Sequence, residues 1–342
     1  MLKWVNLFRC VLASNFRRLS SPYKATFAIT YRCNLRCSIC RIWDQPAVPE
    51  MSLSEIEQVF RNFKNLAWLD LTGGELTLRE DILEVIRVIA RSSSKLILFH
   101  ISTNGQRPDV VALMAREVLR SGCIPVINVS VDGSVAMNDS LRGMNGSFVK
   151  SLDAFKRLKT DNPRGHYYLS CTLSNQNLFH VEEMLSDIYR FYPAFTLADL
   201  HFNLCHTSAH YYKNSDVGAD KGLEARTVMK YLSWSRRGSL VKAILENQYL
   251  GKMRSFLSGN RFPIPCQAFN ATCFIDPEGR VYPCGIFNEP AGLLRDFDNN
   301  IAKLWRHPGL IAGRGKILQQ KCPGCWSPCE AYPALLGGLR HC

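Results

Sequence analysis

Three thiols stand within eight residues of one another, at Cys33, Cys37 and Cys40. Thiolates are soft metal ligands, and three of them fall one short of the four that close a tetrahedral structural site. An iron–sulfur cubane held by three cysteines keeps one iron free of protein, where a small molecule could chelate through an amine and a carboxylate. The competing reading is a zinc knuckle that takes its fourth ligand from elsewhere. A second group of thiols follows residue 265, at Cys266, Cys273, Cys284, Cys322, Cys325, Cys329 and Cys342. Cys10, Cys123, Cys171 and Cys205 lie in apolar stretches and read as small core residues.

The elements that must position these thiols are legible from the pattern. Short β-branched runs at Thr26 to Tyr31, Trp68 to Thr72, Leu96 to Ser102, Val126 to Val131, Tyr167 to Leu173 and Leu200 to Cys205 read as six strands. Between them lie helical faces such as Ile82-Val85-Ile86-Ile89, and Leu53-Ile56-Val59-Phe60 opened by a Ser52/Glu55 capping box. Six βα units in series imply a parallel sheet wrapped by helices, an α/β fold whose chemistry collects at the carboxyl ends of the strands. The polar strings fall there. The three thiols follow the first strand, Gly73-Gly74-Glu75 the second, Asn104-Gly105 the third, and Ser130 with Asp132-Gly133 the fourth. A helical linker is expected over 211–262, with Trp234, Leu240, Ile244 and Leu250 packing and Pro263 and Pro265 ending it. The cysteine-rich segment 263–342, with strand-like pieces and a turn at Pro277-Glu278-Gly279, is expected as a second, metal-stapled module.

The set Cys33-x3-Cys37-x2-Cys40, Gly73-Gly74-Glu75 and six βα units resembles the radical S-adenosylmethionine (radical SAM) enzymes over residues 26 to about 210. The resemblance implies a partial (β/α)6 TIM-like barrel over 25–210. In it Cys33, Cys37 and Cys40 ligate a 4Fe-4S cluster and S-adenosylmethionine chelates the fourth iron. It further implies that Gly73 and Gly74 let the backbone approach the methionine amine, with Glu75 helping to hold it. Ser130 and Arg142 would steady the carboxylate, and Asn104 and Asp132 would contact ribose or substrate. Ile39 stands where the family often has an aromatic residue. Cleavage of the sulfonium would give a 5′-deoxyadenosyl radical that removes hydrogen from a substrate. The C-terminal cysteines are similar to the auxiliary modules called SPASM and twitch. Cys266, Cys284, Cys322 and Cys325 would hold a second 4Fe-4S cluster that carries electrons, with Cys329 and Cys342 as substitutes; a structural zinc is the alternative occupant.

Composition narrows the remaining classes. A chain of 342 residues, 46% hydrophobic and 21% charged, has ample core and excludes disordered and coiled-coil readings. Of the net charge of +13, eight positive charges fall in residues 1–43, which contain no acid. With no RNA-binding module in view, that concentration disfavours nucleic acid, although an RNA-modifying radical enzyme and a non-catalytic zinc scaffold stay as alternatives. Residues 1–24 read as a basic amphipathic segment whose stripe of Leu2, Val5, Phe8 and Leu12 either packs on the barrel or makes a peripheral membrane contact. No secretory signal or spanning segment is evident, and the expected place is the cytoplasm, with membrane association left open. The substrate class stays open among small molecule, lipid and peptide, and a reducing electron donor is required. Only 32 residues precede Cys33, so a peptide's leader would need a separate carrier.

Overall fold

The computed structural model describes residues 2–216, 223–234, 240–259, 262 and 264–338. Pro263 and Cys342 lie outside the described residues. In chain order the elements are α1 (Leu2–Ser14), β1 (Lys24–Ala28), α2 (Leu53–Arg61), β2 (Trp68–Thr72), α3 (Ile82–Ser92), β3 (Leu98–Thr103), α4 (Pro108–Arg120), β4 (Ile124–Ser130), α5 (Val135–Arg142), α6 (Ser147–Asp161), β5 (His166–Leu173), α7 (Val181–Phe191) and β6 (Leu200–Leu204). The C-terminal part adds α8 (Ala225–Trp234), α9 (Leu240–Leu257), β7 (Thr272–Ile275), β8 (Arg280–Tyr282), β9 (Gly292–Leu293), α10 (Ile301–Leu304), α11 (Pro308–Leu318) and α12 (Pro328–Leu336).

Strands β1 to β6 pair in sequence order and all in parallel, forming an α/β sheet that does not close. The helices between them cover its outer face. Ser52 and Glu55 form the expected capping box at the start of α2, and Ile56, Val59 and Phe60 are buried beneath it. Ile82, Val85, Ile86 and Ile89 are likewise buried on α3. Strand β1 ends three residues earlier than expected, at Ala28. The reason is that the chain after Ile29, whose N still donates to Thr72 O at the end of β2 (2.9 Å), bonds the turn beyond β2, with Gly74 N donating to Thr30 O at 2.8 Å.

The C-terminal segment joins the same sheet. Strand β7 lies parallel to β1, from Lys24 opposite Thr272 to Phe27 opposite Ile275, and β8 and β9 extend it in antiparallel fashion to nine strands. One apolar core runs from the barrel helices into Trp305, Trp326 and Leu335. Helix α1 is tied across the amino ends of the strands, where Lys3 Nζ donates to Leu96 O at 2.9 Å and Asn6 Nδ2 to Asn65 O at 3.4 Å. Its Leu7, Cys10, Val11 and Ala13 pack with Leu19, Tyr23 and Ala271. No helix among the described residues is long and apolar enough to cross a membrane.

Candidate active site

Backbone hydrogen bonds from three directions hold the loop that carries Cys33, Cys37 and Cys40. The chain after β2 donates twice, from Gly74 N to Thr30 O and from Glu75 N to Arg32 O, each at 2.8 Å. The last turn of α5 accepts twice, from Arg36 N at Arg142 O (3.1 Å) and from Ser38 N at Leu141 O (2.8 Å). On the far side Arg41 N donates to Tyr212 O at 2.9 Å, and Asn214 Nδ2 to Ile39 O at 2.8 Å.

The nearest reason for glycine at 73 and 74 is this loop's own backbone. A Cβ on Gly73, whose φ is +152°, would stand 2.5 Å from Thr30 O, and one on Gly74 would stand 2.2 Å from Arg32 O. Both glycines line the cavity described below. Glu75, expected against a cationic amine, faces elsewhere. Its buried carboxylate accepts from Thr77 N (3.2 Å), Thr77 Oγ1 (2.8 Å), Thr103 Oγ1 (2.8 Å) and Asn104 N (2.7 Å), tying the end of β2 to the end of β3. Burial pushes its pKa up in spite of these four donors.

Arg142 does enter the site. Its Nη2 meets Asp132 Oδ2 at 2.5 Å, and Asp132 Oδ1 accepts from Thr172 N at 2.8 Å. Burial works against the guanidinium charge, yet Asp132 and Cys37 beside it hold its pKa up. The Nε of Arg142 is buried without a partner among the described residues, so the site holds a cationic donor with nothing to receive it. Asn104 Nδ2 donates to Asn34 Oδ1 at 2.8 Å and stands 3.9 Å from Cys33 Sγ. Burial pushes the thiols up, Cys33 to about 11 and Cys40 to about 12, with Cys37 raised as well. Among the described residues no three His, Cys, Asp or Glu side chains stand close enough to share a single metal ion.

A cavity of about 530 Å³ opens beneath the loop, lined by all three thiols and by Ile39, Asn104, Ser130, Asp132 and Arg142. Its wall shows the period of two of inward strand positions: Trp68, Asp70 and Thr72 on β2, Leu98, His100 and Ser102 on β3, Val126, Asn128 and Ser130 on β4. Deep in the barrel a fully buried Lys24 Nζ lies 2.6 Å from Asp70 Oδ2. Asp70 Oδ1 accepts from Trp68 Nε1 at 2.6 Å and lies 3.3 Å from His100 Nδ1, and His100 Nε2 lies 3.0 Å from Asn128 Nδ2. Burial opposes the Asp70 charge, but Lys24 and His100 hold its pKa below the usual range. Sequence reasoning missed this polar floor. Its signal was the alternation itself, since a barrel strand whose inward positions are Asp, His or Asn lines a cavity rather than a packed core.

The C-terminal thiols divide. Cys266, Cys284, Cys322 and Cys325 line a second, small cavity with Phe262, Phe287, Ile317 and Glu330. Burial raises the pKa of Cys284 to about 12 and carries those of Cys266 and Cys325 well above the ordinary thiol value. Cys329, expected as a substitute ligand in that group, instead lines the barrel cavity, near Asp70 and Lys24. Cys10, Cys123, Cys171 and Cys205 are buried. An aromatic wall stands between the two thiol sets. Tyr211 and Phe274 rings lie 4.9 Å apart, Tyr211, Phe274 and Tyr282 pack with Cys33 and Cys40 on one side, and both Tyr211 and Phe274 border Gly285, next to Cys284, on the other.

Residues 27–188, which carry the cysteine loop, the Gly-Gly-Glu turn and Arg142, match the sequence model of the Radical SAM superfamily. The chain carries a radical SAM domain over that segment. Its similarity to curated proteins extends beyond that domain. It is 24% identical to the AdoMet-dependent heme synthase of Methanosarcina barkeri, over 92% of this chain and 93% of the relative. It is 25% identical to the mycofactocin maturase MftC of Mycobacterium ulcerans, over 94% of this chain and 83% of the relative. Among solved structures the fold is shared with Streptococcus suis SuiB bound to S-adenosylmethionine, with TM-score 0.60, 15% identity, and coverage of 86% of this chain and 68% of that one. It is shared also with anSMEcpe bound to AdoMet and a Cp18Cys peptide, with TM-score 0.53, 18% identity, and coverage of 84% and 81%. Radical SAM enzymes carry a 4Fe-4S cluster and S-adenosylmethionine, and both solved structures hold the latter. The residues present suit such cofactors. Three soft thiols share one cavity wall without converging on one ion, and Arg142 leaves a buried donor free for an anion.

Proposed function

We propose that Cys33, Cys37 and Cys40 hold the SAM-binding 4Fe-4S cluster, that Arg142, Ser130, Asn104, Gly73 and Gly74 surround S-adenosylmethionine, and that Cys266, Cys284, Cys322 and Cys325 hold an auxiliary 4Fe-4S cluster that passes electrons. The single observation that carries this reading is the partition of thiols: Cys33, Cys37 and Cys40 on the wall of the barrel cavity, and Cys266, Cys284, Cys322 and Cys325 around a separate small one. When bound, the cluster and S-adenosylmethionine supply a radical able to remove an unactivated hydrogen.

The chain's own residues do the rest. Arg142, fixed by Asp132, offers its free Nε to an anionic group, a charge-assisted bond made stronger by burial. Asn104 Nδ2 lies where it can donate to the Cys33 sulfur, and hydrogen bonds to cluster sulfurs tune potential. The polar floor of Asp70, His100 and Asn128 receives the substrate, and Asn128 Oδ1 is buried with no donor of its own. That lining suits a polar small molecule or an inserted peptide side chain. The chain's relatives include a heme synthase and a mycofactocin maturase.

The test is anaerobic reconstitution, reduction and incubation with S-adenosylmethionine, reading 5′-deoxyadenosine together with iron and sulfide per chain. The wild type should form product and carry two clusters. Cys37→Ala should lose product, whereas Cys325→Ala should keep it while losing about half its iron. Zinc in place of iron, or product from Cys37→Ala, would overturn the assignment.

A further inference from the structure

Helix α1 has two faces that do different work. One is docked: Cys10 and Ser14 are buried, Leu7 lines the lower end of the barrel cavity, and Asn15 Nδ2 donates to Leu336 O at 3.2 Å. The other is bare. Leu2 is 87% exposed, Val5 49%, Phe8 68% and Leu12 45%. At a helical period of 3.6 these positions fall within about a third of the circumference, a ridge about 15 Å long from Leu2 to Leu12.

The surroundings of this ridge say what could cover it. Lys3, Arg9, Arg17 and Arg18 lie on or beside α1; Lys95 and Arg9 both act on Cys10, Lys3 acts on Cys123, and Lys64 N bonds Ser21 Oγ. None of these six cations forms an ion pair among the described residues, although Lys3, Arg18 and Lys95 donate to Leu96 O, Trp305 O and Asn65 Oδ1, and residues 1–43 contain no acid. A second copy of the chain would set unpaired cations against unpaired cations. A surface that combines apolar depth with negative charge complements both features.

We propose that α1 is an interfacial membrane anchor: the face of Leu2, Val5, Phe8 and Leu12 enters the headgroup region of an anionic phospholipid bilayer while the neighbouring bases contact lipid phosphates. Because α1 covers the amino ends of the strands, the barrel rests on the bilayer by its base, and the Cys33–Cys40 loop at the carboxyl ends faces the aqueous side. This docking stands apart from the chemistry of the site.

The experiment is cosedimentation of the intact, anaerobically purified protein with vesicles of phosphatidylcholine alone, or with phosphatidylglycerol as the minority lipid, at low and high salt. Binding is expected to the anionic vesicles, weakened by salt. A double variant Val5→Glu and Phe8→Glu, at exposed positions, should melt like the wild type and bind at least roughly tenfold less. A second variant, Arg9→Glu with Lys95→Glu, should lose the preference for anionic vesicles. No binding, equal binding to both vesicles, or undiminished binding by the first variant would overturn the proposal. So would self-association in analytical ultracentrifugation that the first variant abolishes, which would assign the face to a second copy.

Discussion

Replacing Gly74 by alanine tests how the cysteine loop is seated. The added Cβ would stand 2.2 Å from Arg32 O and 2.6 Å from Tyr31 O, both backbone atoms that no rotamer can move aside. Restoring van der Waals contact shifts the loop by more than about 1 Å, which stretches the bonds from Gly74 N to Thr30 O and Glu75 N to Arg32 O beyond hydrogen-bonding range. Two lost bonds at roughly 1 kcal/mol each, with overpacking of about 1–3 kcal/mol, give about 3–5 kcal/mol in all. Spread over 342 residues, that lowers the melting temperature by roughly 4–7 °C. The assay is calorimetry of the apo chain, followed by iron per chain and the electron paramagnetic resonance amplitude after anaerobic reconstitution. Gly315→Ala, with nothing within 4 Å of its added Cβ, is the control and should melt at or above the wild type. If Gly74→Ala melts within about 1 °C of the wild type and loads full iron, backbone crowding does not explain the glycine.

Three further outcomes are expected. Lys24→Met should cost roughly 3–5 kcal/mol because it strands the buried Asp70, and adding Asp70→Leu should recover much of that loss in denaturant titrations; a double variant no better than the single would refute the pairing. Burial raises the Asp276 pKa to about 6, so the folded state holds that proton more tightly than the unfolded chain, and stability should fall by roughly 3 kcal/mol at most as pH rises from about 4 to 6. Asp276→Asn keeps an oxygen for Glu278 N and Arg280 N and should flatten that slope in pH-dependent melts. Arg142→Lys keeps the charge but not the planar fork, so iron loading should persist while the spectral change on adding S-adenosylmethionine weakens; an unchanged response would remove Arg142 from cofactor binding.

The linear chain determined the parts whose cause is local. Thiol spacing, the Gly-Gly-Glu turn, the strand periods and the Ser52/Glu55 cap each act within a few residues, so Cys33, Cys37 and Cys40 could be placed after a strand before any fold was known. The division of the later cysteines was only half legible. The set of Cys266, Cys284, Cys322 and Cys325 was suggested by resemblance to auxiliary-cluster modules, but that Cys329 turns to the barrel depends on where α12 docks. Glu75 shows the same limit, because its four donors come from residues as far along as Asn104. The Lys24–Asp70 pair joins two strands 46 positions apart, a contact that exists only once β1 and β2 are in register. For α1, periodicity showed an apolar stripe but could not tell which side the protein would cover. Docking across the strand ends buried Cys10, half-buried Leu7 and left Leu2, Val5 and Phe8 outside, because burial belongs to the partner surface as much as to the helix.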